Sequence, residues 1–484
     1  LAKVIVIDSP SWHLFAPGQF LHLGILYLAG SLRAAGHDVE VLDCHKVTSW
    51  DAELSQLTLH PDRMPACDVL GVSATTANVH WGREMAMAWP AKYKVLGGSH
   101  ATNILRGPHE RFKKPSYFEG FDYMIIEECE ESFVQFCNAV DKGIEPRCQL
   151  IPQIPDLCWF DSSGALHRNQ HLGLPEVTKL PRPAFDLWNR NSEFYGGGLS
   201  ANGYDRKLDM NRALTASLFT ARGCPYGCKF CADARTKVRE ETLEQIIQDV
   251  RTLADMGVRA IRIQDDVLTI KDKRCRQLAD IFHDHGMTWR GNTRVNLVDP
   301  GLFKYMASKG CVELGFGVEH ADPRMLKIMD KGTTPEKNTA GIRMCQDAGM
   351  VAKAFLLIGF PGETEESIEN MKKWILETRP SACAWSLFQP FPGSDVWNHP
   401  ERYGVELPDN AFDRFWQMGL EGTDDELVLD LPDFPKHKVR QARREIGELI
   451  DREIGHRDRR RIDAGGPWGN GVHAAPASEP MMIA

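Results

Sequence analysis

A chain of 484 residues with 43% hydrophobic and 25% charged side chains has an ordinary globular composition and the length for two or three domains. Its net charge of −9 and pI of 6.0 exclude a nucleic-acid surface spread over the whole molecule, leaving room only for a local basic groove. No apolar run approaches the ~20 residues of a membrane helix, and 13 scattered cysteines exclude a regular disulfide scaffold and point to a reducing cytoplasm.

The opening LAKVIVIDSP lacks the basic, apolar and cleavable regions of a signal peptide and reads as a strand over 3–8. A helical pattern follows, with Leu23, Leu26, Tyr27, Gly30 and Ala34 on one face and Gly36 as its stop. Further strands are expected at 39–43, 68–74, 93–98 and 122–126, with helix-like stretches between or after them. This alternation predicts a parallel, doubly wound, Rossmann-like (flavodoxin-like) sheet over residues 1–140. Ligands bind such sheets beyond the carboxyl ends of the strands. Here those loops are Ser9–Gln19, Ser73–Asn78, Gly97–Asn103 and Glu127–Glu131.

Residues 141–213 change character, since Pro152, Pro155, Pro175, Pro181, Pro183 and the run Gly196–Gly198 mark an irregular linker. From 214 to 395 the alternation resumes. Strands are expected at 214–220, 259–265, 288–295, 312–318, 351–358 and 382–388, and helices at 241–256, 272–285, 299–309, 335–348 and 364–378. Six βα units with no sign of reversal predict a partial (β/α)6 barrel with its chemistry at the carboxyl ends of the strands. Residues 396–455 read as a helical C-terminal extension and 456–484 as a disordered tail.

One cysteine cluster stands apart, Thr220-Ala-Arg-Gly-Cys-Pro-Tyr-Gly-Cys-Lys-Phe-Cys231, directly after the first barrel strand. Three thiolates within eight positions can converge on one soft metal centre. Gly223, Pro225 and Gly227 allow the tight path this requires. With only three local cysteines, Cys224, Cys228 and Cys231, a four-iron cluster keeps one iron without a protein ligand. The competing reading is a structural zinc site, which favours paired CxxC units or a nearby histidine. Neither occurs here.

This spacing, with Phe230 before the third cysteine, resembles the radical S-adenosylmethionine (SAM) enzymes. The resemblance implies that SAM chelates the open iron of a [4Fe-4S] cluster and is cleaved to a 5′-deoxyadenosyl radical. It also implies SAM contacts at Phe230, Asp265, Arg294, Glu319, Gly359 and Pro361. Each has a plainer reading beside it. Asp265 and Asp266 are equally solvated loop carboxylates or a helix N-cap, Arg294 and Glu319 can pair with each other, and Gly359–Glu363 can be a simple strand-to-helix turn.

The first domain resembles the cobalamin-binding module of one branch of that family. The landmarks are HLGILYLAGSLRAAGHDVEVLD at 22–43, VSATT at 72–76, VLGGSHAT at 95–102 and DYMIIEECEESF at 122–133. The small residues Ser73, Thr75, Thr76, Gly97, Gly98 and Ser99, together with Glu128, are implied as cobalamin contacts. Two departures touch the site. No D-x-H-x-x-G offers a lower cobalt ligand, and Glu127-Glu128-Cys129-Glu130 stands where the branch reads G-E-G-E. His13, His22, His80 and His100 read as loop or core histidines rather than cobalt ligands.

The resemblance as a whole implies a cobalamin-dependent radical SAM methyltransferase acting on an unactivated carbon of a small molecule. An external electron donor of flavodoxin or ferredoxin type would supply electrons, with no membrane and no nucleic acid involved. The alternatives are radical oxidation, ring contraction or cyclisation without methyl transfer, and a radical methylthiotransferase. Cys44, Cys67, Cys129 and Cys137 lack the clustering the last would need.

Overall fold

The computed structural model describes residues 1–11, 23–51, 56–147, 153–188, 214–297, 299–407, 412 and 427–454. The histidines at 13 and 22, much of the loop 9–19, the glycine run at 196–198 and the expected tail lie outside them.

The first sheet is built from β1 (Lys3–Asp8), β2 (Asp38–Leu42), β3 (Cys67–Ser73), β4 (Ala91–Gly97) and β5 (Tyr123–Ile125). These run parallel in the order β2-β1-β3-β4-β5, the flavodoxin-like arrangement whose switch point falls between β1 and β3. Val4, Ile5, Val6 and Ile7 are all fully buried because both faces of the sheet are covered. Val4 and Val6 pack with Ala29 and Leu32 of α1 (Leu23–Ala34) and with Phe133 and Phe136 of α4 (Glu130–Asp141). Ile5 and Ile7 point the other way, onto Met85 of α2 (Val79–Ala88). Helix α3 (Ser99–Arg106) follows β4.

The segment expected to be irregular contributes two strands. β6 (Leu157–Phe160) and β7 (Leu166–Arg168) form a hairpin that adds antiparallel to β5, with Met124 opposite Cys158. Its apolar runs are too short to show a period among the neighbouring prolines, and pairing with β5 is what makes them strands. Beyond the hairpin the chain crosses α1 so closely that a Cβ at Gly30 would lie 2.1 Å from the Arg182 carbonyl oxygen.

The second sheet has six parallel strands in chain order: β8 (Thr215–Leu218), β9 (Ala260–Ile263), β10 (Thr288–Thr293), β11 (Cys311–Glu319), β12 (Val351–Ile358) and β13 (Ala382–Leu387). Helices α5 (Leu243–Asp255), α6 (Asp272–Asp284), α7 (Pro300–Ser308), α8 (Pro323–Ile328), α9 (Pro335–Asp347) and α10 (Glu365–Thr378) alternate with the strands. Their starts are set locally: Thr242 and Gln245 form a reciprocal capping box, and Asp299, Asp322 and Thr334 cap through their side chains. After α11 (Asp395–Asn398), helix α12 (Lys436–Glu453) lies along β12, β13 and α10. It fits because Gly447 leaves room for Trp385, which a Cβ would approach to 3.2 Å.

Two features lock the halves together. Leu23, Leu26 and Tyr27 on the outer face of α1 belong to the barrel's core. Trp397, Leu407 and Phe412 from beyond the barrel pack on Phe112 and Phe118 of the first domain. The carboxyl edge of the first sheet therefore faces the mouth of the barrel.

Candidate active site

The cysteine loop is pinned at both ends. Thr220 and Ala221 donate their backbone N–H groups to Asp265 at 2.7 and 3.1 Å, and Arg274 donates to the Thr220 and Glu241 carbonyls at 2.9 and 2.8 Å. A short antiparallel ribbon pairs Ala221–Arg222 with Arg239–Glu240. Within the loop, Thr236 caps the Cys224 N–H at 2.7 Å and Arg235 N–H reaches the Tyr226 carbonyl at 2.8 Å. Gly223 adopts φ +98°, and a Cβ there would meet the Lys237 carbonyl oxygen at 2.4 Å, so only glycine fits. The far side is braced by Lys229, which donates its N–H to the Met329 carbonyl and accepts from Asp395.

Cys228 is buried, and Cys224 and Cys231 are half-buried. Burial pushes the Cys231 thiol up to about 12 and raises Cys224 as well, so metal binding must draw out the thiolates. A single zinc ion would hold thiolate sulfurs about 3.8 Å apart, given Zn–S bonds of ~2.3 Å. Among the described residues, a trio of ligand atoms within 4.8 Å occurs at Asp43, Cys44 and His45, and not at the three cysteines. Three thiol donors on one loop suit a cluster in which each thiolate takes its own iron. The Asp43 trio is a capped turn, with the carboxylate accepting the His45 N–H at 3.0 Å and facing its ring Nδ1 at 2.7 Å.

Around Cys228 the structure gathers several expected residues and adds two. The buried Arg294 donates to Cys228 Sγ at 3.2 Å, stacks 4.0 Å over the ring of Tyr226 and bonds the Lys331 carbonyl. Glu319 pairs with the Lys331 ammonium at 2.8 Å, so the Arg294–Glu319 pairing considered from the sequence is not formed. Lys331 also lies 5.6 Å from the centre of the Phe230 ring. Tyr226 and Lys331 carried no signal of their own, being a loop aromatic and a lysine from a distant part of the chain.

Two positions are used differently from the expectation. Asp265 is neither a solvated carboxylate nor a helix cap, because both its oxygens are taken by Thr220 and Ala221. Glu363 turns inward, fully buried, and accepts from His320 Nε2 at 3.1 Å, the Gly359 N–H at 3.2 Å and the Ser367 hydroxyl. The Asp322 N–H donates to His320 Nδ1, which fixes the ring proton on Nε2. Gly359 takes φ +84° with Val439 of α12 against it, and Pro361 is buried beside it. The turn is therefore internally satisfied at the barrel mouth.

Burial outweighs the hydrogen bonds Asp265 accepts and lifts its carboxyl to about 6. The folded chain thus holds this proton more tightly than an unfolded carboxyl titrating near ~3.9. Its contribution to stability is fully present below pH ~4 and is lost as pH rises through about 6. Asp265→Asn keeps an acceptor for the two N–H groups and should remove that part of the pH dependence. Unfolding free energies from urea titrations should change between pH 4 and 7 by on the order of 2 kcal/mol less than in the parent.

Between the two sheet edges lies a cleft of ≈ 340 Å³. Ser73, Gly97, Gly98 and Ile125 line it from the first sheet, and Phe219, Arg222, Gln264 and Asp266 from the barrel. A Cβ at Gly24 would meet nothing within 4 Å, so backbone there is presented to open space, and one at Gly97 would make only ordinary contact with Cys129 Sγ at 3.8 Å. Such a floor fits a flat macrocycle. Of the residues implied from sequence, Ser73, Gly97, Gly98 and Glu128 line this cleft. Thr75, Thr76 and Ser99 do not. Thr75 bonds Asn78 through N–H and hydroxyl, Thr76 bonds His100, and Ser99 begins α3. Burial drives the His100 imidazole down to about 3, so it stays neutral in the core beside Phe412, and His80 lies tilted against Trp81. Glu128 lines the cleft with its carboxylate engaged by Arg222 and Arg239.

Residues 218–375, from the end of β8 into α10, match the radical SAM superfamily. That stretch, about a third of the chain, carries the radical SAM domain. The radical SAM barrel and the sheet before it are together similar to an uncharacterized methyltransferase, PH0819, of Pyrococcus horikoshii, 24% identical over 78% of each chain. They are also similar to the anaerobic magnesium-protoporphyrin IX monomethyl ester cyclase of Cereibacter sphaeroides, 25% identical over 80% of this chain and 62% of the cyclase. The fold matches the radical SAM methyltransferase TsrM from Kitasatospora setae, solved with cobalamin and a [4Fe-4S] cluster, at a TM-score of 0.60. That match has 17% identity and covers 82% of this chain and 74% of TsrM. No helix among the described residues is long and apolar enough to cross a membrane.

Proposed function

We propose that the chain is a cobalamin-dependent radical SAM methyltransferase that methylates an unactivated carbon of a small molecule. The observation that carries this reading is the glycine-floored cleft, walled on one side by the first sheet's carboxyl edge and on the other by the start of the cysteine loop. When bound, a [4Fe-4S] cluster with SAM supplies a 5′-deoxyadenosyl radical, and methylcobalamin supplies the methyl group. The chain's own residues bind, orient and exclude water.

Cys224, Cys228 and Cys231 hold the cluster, and Arg294 fixes the position of Cys228. Phe230, Glu319, Gly359 and Pro361 surround SAM, while Asp265 holds the loop start rather than touching the cofactor. Ser73, Gly97 and Gly98 form the seat of the corrinoid. The reaction runs in a reducing cytoplasm with an external one-electron donor of flavodoxin or ferredoxin type.

A relative named as a methyltransferase and a fold neighbour of the same activity support methyl transfer. The cyclase relative favours a second reading, oxidation or ring closure without a methyl group. Products separate the two. Anaerobic turnover with SAM, reductant and candidate small molecules should give S-adenosylhomocysteine alongside 5′-deoxyadenosine and a product heavier by one CH₂. A product of unchanged or lower mass, with 5′-deoxyadenosine alone, would replace the first reading by the second.

A further inference from the structure

The amino edge of the first sheet carries a second cavity, of ≈ 620 Å³. Lys92 and Tyr93 near the start of β4 and Asp122 and Tyr123 at the start of β5 line it, whereas the same two strands end in the cleft at Gly97 and Ile125. From Tyr93 to Gly97 a strand rises about 13 Å, so the two spaces open at opposite edges of the sheet. The half-buried rings of Tyr93, Phe121 and Phe160 line this second cavity, and Phe160 lies 5.7 Å from the buried Phe118 ring, centre to centre. Its carboxylates are already engaged. Glu145 accepts the Tyr93 hydroxyl at 3.3 Å and the Tyr123 hydroxyl, with Arg147 Nε 3.4 Å away. Asp122 accepts the Lys94 N–H at 2.8 Å, and Glu119 pairs with Arg83 at 3.4 Å. The cations are not matched in the same way. Lys92 is exposed and among the described residues makes no ion pair, its ammonium lying 5.3 Å from the centre of the Tyr93 ring. Arg147 is exposed too, and Glu145 is its one ionic partner among the described residues.

We infer that this cavity binds a small planar anion, an aromatic ring bearing a carboxylate, sulfonate or phosphate. Rings alone would suit any apolar molecule, and cations alone any anion. Together, with the acids already satisfied, they complement a flat ring that carries negative charge. The ring packs against Tyr93, Phe121 and Phe160, and the anion accepts from Lys92 Nζ and the Arg147 guanidinium. A neutral ring forgoes both charge-assisted hydrogen bonds, and a cationic one meets two like charges. The site stands apart from the cysteine loop and the cleft, so it does not depend on the corrinoid reading above.

The test is equilibrium dialysis of the full chain, its cluster reconstituted, against 2-naphthoate and its neutral isostere 2-naphthamide, with and without excess hydroxocobalamin. The parent should bind about one naphthoate per chain under both conditions, at least ~10-fold more tightly than the amide. Lys92→Gln and Arg147→Gln, both at exposed positions, should each weaken naphthoate by at least ~3-fold and leave the amide within about twofold. Phe160→Ala should weaken both ligands, because both use the ring wall. No saturable binding by the parent at millimolar naphthoate overturns the inference. Equal affinity for acid and amide, or unchanged affinity for naphthoate in both cation variants, overturns it too. So does displacement of naphthoate by hydroxocobalamin, since the acid then sits in the cleft.

Discussion

With Cys224, Cys228 and Cys231 all replaced by alanine, the protein purified without oxygen is expected to show no iron–sulfur absorption. SAM cleavage should fall by at least ~10³-fold. The loop itself should survive, because its shape does not depend on the thiols. Its ends are held by Asp265 and Arg274, its middle by Thr236, and its outer side by the backbone of Met329 and Asp395. The cleft is lined from this loop by Ala221, Arg222 and Gly223 and by none of the cysteines. Corrinoid uptake should therefore stay within about twofold of the parent, as separate wall residues imply. Iron analysis, 5′-deoxyadenosine release and corrinoid titration on one preparation check all three statements. Persistent SAM turnover in the triple variant would falsify the assignment of the cluster to this loop.

The second large effect is expected at Arg182→Met. Arg182 comes from the segment that crosses α1, and it bonds Asp249 through Nε at 3.0 Å and Glu241 through NH2 at 2.5 Å. The Glu241 side chain is 0% exposed and that of Asp249 2%, while Tyr27 donates its hydroxyl to Glu241. Removing the cation strands two carboxylates in the interior, which typically costs about 3–5 kcal/mol. Burial lifts Asp249 to about 6 even beside Arg182, so its contribution to stability is already lost as pH rises through that value. Without the arginine the loss should be larger and extend to higher pH. Adding Asp249→Asn should recover part of it, and urea unfolding of the single and double variants at pH 5 and 8 measures both. Because Glu241 also closes the cysteine loop by donating its N–H to Thr220, iron content should fall in the single variant as well.

The parts of the molecule that were readable from sequence are those whose causes are local. The apolar run Val4–Ile7 and the helix expected over 241–256 are each set within one element, and each appears where expected. What the sequence concealed depends on partners far along the chain. Nothing near Arg222 announces Glu128 and Glu130, 94 and 92 positions earlier. The hairpin Leu157–Arg168 is strand only because β5 offers it an edge. Thr75 and Thr76 have the right size for a ligand floor, yet Asn78 and His100 claim them first. Asp265 resembles a ligand-facing carboxylate until burial shows it holding the start of the cysteine loop.

The proposed function requires a cluster on the cysteine loop and a corrinoid in the adjoining cleft at the same time. Reconstitution of the full chain under anaerobic conditions with iron, sulfide and hydroxocobalamin, followed by metal analysis and a visible spectrum, tests it most directly. About four irons and about one cobalt per chain are expected, with both absorptions in the same gel-filtration peak. A protein that takes up its full complement of iron but elutes free of cobalt would contradict it.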